Sequence, residues 1–198
     1  MGPGRGRNIT GQAQPFAELS AKRIEVLKET LPHVSRVAVL WHSSTGRAYL
    51  GDTEAAARAV GLELHTIELK RHEDAAPAVQ RAAAARVGAV VTLQGSFFGS
   101  GPMPRRIADL ALQYRLPAVS PEVPFADAGG LMYFGASSVD GFRRAAAQVD
   151  KILKGARPGD LPFELPTTYD LVVNLRTARA LGVTVPPSIL LRATRVIE

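Results

Sequence analysis

The sequence contains no cysteine, few aromatic residues (6%) and no long apolar run. Without cysteine the chain can form neither disulfides nor reactive thiolates. No apolar stretch approaches the roughly 20 residues that a bilayer-spanning helix needs. The 198 residues, 46% of them hydrophobic, are enough for one large packed domain or for one and a half small ones.

The chain is basic, with a formal net charge of +6 and a pI of about 10.1. A nucleic-acid-binding surface would gather this charge into a stripe together with aromatic residues. The arginines are instead spread over several predicted helices, as the positions Arg58, Arg81, Arg86, Arg105, Arg106, Arg143 and Arg144 show. This distribution favours solvated helix faces and predicts no nucleic-acid partner.

Familiar catalytic and metal-binding motifs are missing from the sequence. It has no P-loop, no G-x-S-x-G and no H-E-x-x-H. The four histidines, His33, His42, His65 and His72, lack the spacing of metal ligands. We therefore predict no catalytic residue, no metal and no cofactor.

Strand-like and helix-like segments alternate between residues 16 and 120, which predicts a parallel sheet with helices on both faces. The predicted fold class is α/β, a three-layer, doubly wound parallel sheet. The first predicted helix covers residues 16–31, and the second runs from a cap at Asp52 or Thr53 to Gly61. The third runs from a cap at Asp74 to Val87, and the fourth begins near Pro104. The predicted strands cover residues 37–41, 62–69, 89–93 and 117–120, and the second of them is an outer strand.

The last third of the chain begins with an amphipathic helix from Ser137 to Gly155, for which Ser137 or Ser138 can serve as the N-cap. Its apolar residues recur at helical spacing, namely Phe142, Ala145, Ala146, Val149, Ile152 and Leu153. An extended, proline-bounded crossing follows at residues 158–162. A helix between such linkers is typical of a two-lobed binding protein whose chain crosses a hinge.

Ligands of open α/β sheets bind beyond the carboxyl ends of the strands. Three loops of this sequence follow such ends, after Trp41, Gln94 and Ser120, and they carry hydroxyls, glycines, aromatic rings and a carboxylate. The candidate ligand-binding residues are Trp41, His42, Ser43, Ser44, Gln94, Ser96, Phe97, Glu122 and Tyr133.

Structural roles remain open for several of these residues. The first loop can simply cap a core tryptophan, and Glu122 can be an ordinary surface charge rather than a partner for a ligand ammonium group. Tyr133 is a candidate hinge or ligand contact. In an extended segment Phe97 and Phe98 point opposite ways, so we expect one of them to face the core and the other to line the cleft.

Several short segments are similar to one known family. They are Asn8-Ile9-Thr10-Gly11, Lys22 to Lys28, Arg36 to Leu40, Gly129 to Gly135, Lys151 to Gly155, and Asn174 to Gly182 followed by Pro186-Pro187. In this order they resemble the tryptophan/tyrosine-binding-like ABC transporter substrate-binding proteins, which have the type I periplasmic binding protein fold. Each segment alone is a weak signal, but together they extend from Asn8 to Glu198.

The resemblance implies that the protein is the solute-binding component of an ABC importer. A small organic solute, amino-acid-like and with an aromatic amino acid as the first expectation, would bind reversibly in a cleft that closes about a hinge. The implied partners are a membrane permease and its ATPase, and the implied location is periplasmic or extracytoplasmic. The implied lobes are a complete lobe at residues 8–128, a crossing segment and helix of the other lobe at 129–160, and a return segment at 161–198.

The resemblance also predicts an N-terminally truncated chain. Members of the family begin with a secretory signal and a first α/β lobe, whereas residues 1–7 show no charged region followed by an apolar one. The helix at residues 138–154 would then lack its usual neighbour, which predicts self-association through it. Two alternatives to transport stay open: a small α/β enzyme with His42 and Glu122 as acid and base, and a ligand-sensing domain.

Overall fold

A computed structural model describes residues 8–45 and 47–198 of the chain. Its strands are β1 (Arg36–Trp41), β2 (Glu63–Glu68), β3 (Ala89–Thr92), β4 (Ala118–Ser120), β5 (Met132–Ala136), β6 (Tyr169–Asn174) and β7 (Arg195–Ile197). Its α-helices are α1 (Phe16–Thr30), α2 (Arg47–Ala59), α3 (Ala75–Ala84), α4 (Ser96–Gly99), α5 (Met103–Gln113), α6 (Ser138–Leu153), α7 (Leu175–Leu181) and α8 (Pro187–Arg192).

The seven strands form one sheet in the order β2-β1-β3-β4-β5-β6-β7. The pairs β1–β2, β1–β3, β3–β4, β4–β5 and β6–β7 are parallel. β3 and β4 are buried along their whole length, as expected for strands covered on both faces. The predicted α/β fold with a doubly wound, mainly parallel sheet is confirmed, and β2 is the predicted outer strand.

Alternate residues of β1 pack into two different cores on opposite faces of the sheet. Ala38 and Leu40 belong to a large core that α3 and α5 cover. Val39 and Trp41 point the other way, where Tyr49 and Leu50 of α2 pack against them. Helices therefore cover both faces, and the predicted three-layer arrangement follows from this alternation.

The prediction that Asp52 or Thr53 caps a helix is wrong, because α2 already begins at Arg47. Gly51 lies inside the helix, and the Thr53 hydroxyl donates to the Tyr49 carbonyl oxygen one turn earlier, at 2.9 Å. A threonine in a helix interior commonly makes this bond. Its side chain is therefore occupied within the helix.

The predicted helix from Asp74 to Val87 is shorter in the structure. It ends at Ala84, and Arg86 adopts a left-handed backbone conformation (φ 53°) that stops it before Gly88. Asp74 precedes the helix, but its carboxylate accepts from the backbone N–H groups of Lys70 and Arg71, each at 2.9 Å. These two bonds lower the pKa of Asp74. The aspartate thus stabilises the turn before α3 instead of capping the helix.

The chain divides into two compact units. The larger unit contains residues Phe16–Gly135 and Asp170–Glu198, and with them β1 to β4, α1 to α5, α7, α8 and β7. The smaller unit contains Met1–Pro15 and Ala136–Tyr169, of which residues 1–7 lie outside the described part of the chain. Within the smaller unit, α6 accompanies two extended segments that are joined where Ala13 N–H donates to the Glu164 carbonyl at 2.9 Å.

Candidate functional site

The three loops predicted to form the site lie along one edge of the sheet in the larger unit. β1, β3 and β4 are neighbours and run parallel, so their carboxyl ends meet at the same edge. The loops leave these strands after Trp41, Thr92 and Ser120. In open α/β sheets this edge is where ligands bind.

Phe97 connects two of these loops through its ring. The ring stacks on His42, with centroids 4.3 Å apart and planes 10° from parallel. His72, after β2, meets the Phe97 ring edge-on at 4.8 Å. Phe97 is half-buried, whereas Phe98 is 2% exposed and packs in the core.

Phe98 is therefore the ring that faces the core, and the lining of the cleft by Phe97 stays a prediction. The geometric reason given for this division is wrong. The two residues lie in the short helix α4 and not in an extended segment. His72 was not among the predicted site residues. The signal for it was its place directly after β2, the neighbour of β1, because this position puts it at the same edge of the sheet.

His42 and Ser44 are hydrogen-bonded to each other in the first loop. The Ser44 hydroxyl lies 2.6 Å from His42 Nδ1, and the Ser44 backbone N–H donates to the same nitrogen at 3.1 Å. Nδ1 therefore acts as an acceptor, which places the ring proton of a neutral imidazole on Nε2. Ser43, Ser44 and the Ser96 of the second loop are exposed to solvent.

Glu122 fastens the second loop to the third. Its Oε1 accepts from the Gly95 backbone N–H at 2.8 Å. Its other oxygen lies so close to Gly99 that a Cβ there would clash with it. Burial raises the pKa of Glu122, while the Gly95 bond and the positive charge of Arg23 oppose the rise. The carboxylate thus holds the backbone of the loop that carries Phe97.

Hydrogen bonds through two buried hydroxyl groups hold the backbone at Glu122 in place. The Thr92 hydroxyl donates to the Ser120 hydroxyl at 2.7 Å, and the Glu122 backbone N–H donates to Ser120 Oγ at 3.2 Å. Thr92 and Ser120 are each 1% exposed. Because buried polar groups are costly when unpaired, these bonds fix the ends of β3 and β4 relative to each other.

Arg23 is a buried charge that the sequence analysis did not single out. It lies in α1, is 2% exposed, and its Nε donates to the Phe134 carbonyl oxygen at 3.4 Å. Burial lowers its pKa to about 10, and the charges of Glu122 and Tyr133 act in the opposite direction. The available signal was an arginine on the apolar face of α1, between Leu19 and Leu27.

Two predicted site residues are buried in the structure. Trp41 is 9% exposed and packs against Leu93 and residues of α2. Tyr133 is 3% exposed and packs with Val172. Burial raises the pKa of Tyr133 to about 12, and the nearby Asp170 and Glu122 add to that rise. Gln94 is half-buried at the end of β3.

The structure therefore brings His42, Ser44 and Phe97 into direct contact, and Glu122 joins them through the backbone of the second loop. Gly46, at the end of the first loop, lies outside the described residues. Among residues 8–45 and 47–198, no group of three histidine, aspartate or glutamate side chains could hold a metal ion. None of the helices in the same residues is long and apolar enough to cross a membrane.

The smaller unit contains a separate cleft of about 260 Å³. It lies beside the first turn of α6, and none of the nine predicted site residues lines it. Its walls include Gln12, Ser137, Phe142, Ala145 and Pro166.

The solved structures that match this doubly wound sheet have the fold of the periplasmic binding proteins. A sequence profile for the family described as ABC transporter substrate binding protein matches residues 3–197. The chain therefore belongs to the ABC transporter substrate-binding protein family.

Solved structures agree with this fold. A conserved domain protein from Vibrio cholerae has a TM-score of 0.84 and 24% identity, with 96% of this chain and 64% of that chain covered. The ABC domain from Streptococcus pneumonia, solved in complex with L-Trp, has a TM-score of 0.83 and 24% identity, with coverage of 96% and 65%.

A ligand-free, open substrate-binding protein with adhesive properties from Clostridium difficile is more distant, with a TM-score of 0.69, 16% identity and coverage of 89% and 59%. The chain thus spans about two thirds of the length of the first two proteins. No curated protein sequence matches it significantly.

Proposed function

We propose that this protein binds a small, amino-acid-like solute with an aromatic side chain for an ABC importer. The observation that carries the proposal is the stack of His42 on Phe97, with the exposed hydroxyls of Ser43, Ser44 and Ser96 in the same loops. Aromatic rings favour offset or edge-on contact with other rings, and each such contact contributes about 0.5–1.5 kcal/mol beyond burial.

The polar groups of these loops suit the two charged ends of an amino acid. Serine hydroxyls can donate to the solute carboxylate, while Glu122 supplies negative charge for its ammonium group. His42 and Glu122 already have separate hydrogen-bond partners, Ser44 and Gly95. We propose binding roles for both residues, His42 through its ring and Glu122 through its charge, in place of acid–base catalysis.

In this proposal the larger unit is one lobe of a protein whose two α/β lobes close on the solute. Residues 136–169 would belong to the second lobe. The chain covers 64% and 65% of the two matched structures, which leaves room in them for more of such a lobe. Closure would favour the liganded state by adding contacts from the second lobe. The partners would be a permease and its ATPase on the extracytoplasmic side of a membrane.

The L-Trp complex of the Streptococcus pneumonia protein supports the choice of an aromatic amino acid as the test ligand. Saturation-transfer NMR on the 198-residue chain suits the weak binding expected of a single lobe. We expect transfer to the indole protons of L-Trp, weaker transfer to L-Leu, and none to D-glucose. Phe97→Ala should abolish the transfer to L-Trp.

The matched control is Phe163→Ala, which removes a 57% exposed phenylalanine from the smaller unit. It should leave the transfer unchanged. Equal loss in both variants, or full transfer in Phe97→Ala, would remove the Phe97 loops from the site.

A further inference from the structure

Three aromatic rings contact Phe97 in the larger unit. His42 stacks on it with centroids 4.3 Å apart, while His72 and Phe98 meet it edge-on at 4.8 and 5.0 Å. Phe98 is 2% exposed and anchors α4 in the core, and His42 belongs to the proposed solute site. The contact with His72 has no role in the function proposed above.

His72 brings a fourth loop into contact with the candidate site. Phe97 follows β3 and His72 follows β2, and the sheet order places β1 between these two strands. Neighbouring strands are about 4.8 Å apart, so about 10 Å separate β3 from β2. The Phe97 ring therefore extends from its own strand towards the loops after β1 and β2, where it contacts His42 and His72.

The backbone at His72 is held in place although the side chain is exposed. The Asp74 carboxylate accepts from the backbone N–H groups of Lys70 and Arg71, each at 2.9 Å, and residues His72–Asp74 form one tight helical turn. Because this turn already orders the backbone, only the side chain of His72 has to be ordered for the contact with Phe97.

The Phe97 ring depends on its neighbours for its orientation. It is half-buried, and it lies in a helix of only four residues, Ser96–Gly99. Aromatic pairs are favourable in offset-stacked and edge-on arrangements, so the binding of a solute ring depends on the plane of the ring it meets. The flat contact from His42 and the edge-on contact from His72 together restrict that plane.

We propose that His72 is a positioning residue that sets the plane of the Phe97 ring and thereby the preference of the site for an aromatic solute. This assignment rests on the proposed function, in which Phe97 contacts the solute. His72 acts through Phe97 and not by touching the solute itself. Since specificity is a difference between two affinities, loss of His72 should weaken the binding of L-Trp and spare that of L-Leu.

The ring protons of His42 report on the stack without any solute. Because they lie over the Phe97 ring, its ring current displaces their NMR signals, and Phe97→Ala gives the unstacked reference. We expect these signals to move towards that reference in His72→Ala and to return in His72→Phe, which keeps a ring for the edge-on contact. The matched control is His33→Ala, at an exposed histidine before β1 and thus at the opposite edge of the sheet. It should leave the signals unchanged, and unchanged signals in His72→Ala would overturn the proposal.

Saturation-transfer titrations with L-Trp and L-Leu test the solute preference. His72→Ala should weaken L-Trp binding about two- to tenfold, which is the range that one aromatic contact contributes, and should leave L-Leu binding unchanged. His72→Phe should restore L-Trp binding. Equal losses for both solutes would indicate a general structural effect, and failure of His72→Phe to restore binding would indicate a polar contact between His72 and the solute, so either result would overturn the proposal.

The two measurements separate this proposal from the function on which it rests. If the wild type does not bind L-Trp, the proposed function fails and the solute preference fails with it. The His42 signals would still show whether His72 positions the Phe97 ring. If the wild type binds L-Trp and neither the His42 signals nor the L-Trp affinity change in His72→Ala, the proposed function stands and the role of His72 is refuted.

Discussion

The buried Arg23 offers a direct test of how the larger unit holds the candidate site. Substituting Arg23 by methionine keeps much of its packing but removes the charge and the bond to the Phe134 carbonyl. Glu122, whose ionised form Arg23 favours, would then be left as a partly buried carboxylate without that support. We expect a loss of stability, although an apolar side chain replaces a polar one in the core.

The magnitude follows from the two opposing effects on Arg23. A pKa that falls from 12.5 to about 10 means that burial, after the opposing effects of Glu122 and Tyr133, disfavours the charged form of Arg23 by a net of about 3 kcal/mol. The side chain remains charged at pH 7 because about 10 is still well above that pH. Arg23→Met removes the bond to the Phe134 carbonyl and the positive charge that favours ionised Glu122, and the loss of a hydrogen bond from a charged donor typically costs about 1.5–3 kcal/mol.

Urea denaturation of the wild type, Arg23→Met, Glu122→Gln and the double variant would measure this coupling. Glu122→Gln preserves an acceptor for the Gly95 N–H, and the double variant should recover at least about 1 kcal/mol relative to the sum of the single effects. Arg105→Met, which breaks an exposed pair with Asp109, is the control and should cost less than about 0.5 kcal/mol. Additive single effects, or an Arg23→Met loss no larger than the control, would refute the reasoning.

Two further substitutions test individual contacts. Gly99→Ala should lower the free energy of unfolding by about 1–3 kcal/mol in urea denaturation, because its Cβ would displace the Glu122 carboxylate from Gly95. Gly51→Ala, in open space inside α2, should instead stabilise the protein by about 0.5–1 kcal/mol. Equal effects of the two substitutions would contradict the contact of Glu122 with Gly99. The bidentate bonds from Arg195 lower the pKa of Asp127, so their stabilisation is present above the ordinary aspartate pKa and is lost as the pH falls through the lowered value. Asp127→Asn should therefore flatten the acid limb of the stability–pH curve. The change should be less than about 1 kcal/mol, since the side chains of Arg195 and Asp127 are both about half exposed. An unchanged acid limb would count against the Arg195–Asp127 bond.

Much of the sheet could be predicted because its signals are local. α1 and β1 were each predicted to within one residue at either end, since an amphipathic helix followed by a continuous apolar run determines both. The start of α2 could not be predicted in this way. Asp52 and Thr53 are good caps by residue type, and only the structure shows that Arg47–Gly51 continues the helix in the N-terminal direction.

The candidate site was predictable as a set of loops but not as a set of contacts. Parallel strands in sequence order place the loops after Trp41, Thr92 and Ser120 at one edge, so His42 and Phe97 could be expected there. Which rings stack depends on the helical turn of α4, a short element without a periodic signal. The charge effect of Arg23 on Glu122 could not be assigned from the sequence, because the two residues are far apart along the chain and come near each other only in the folded unit.

The central claim is that the carboxyl-edge loops of the larger unit bind an aromatic amino acid. Amide chemical-shift mapping of the 198-residue chain with L-Trp tests it most directly. We predict weak binding, with a dissociation constant above about 0.1 mM because in the proposed assignment the larger unit supplies only one of the two surfaces of the cleft, and shifts concentrated at residues 42–44, 94–99 and 122. Shifts confined to the cleft beside α6, or none at 10 mM L-Trp, would contradict the claim.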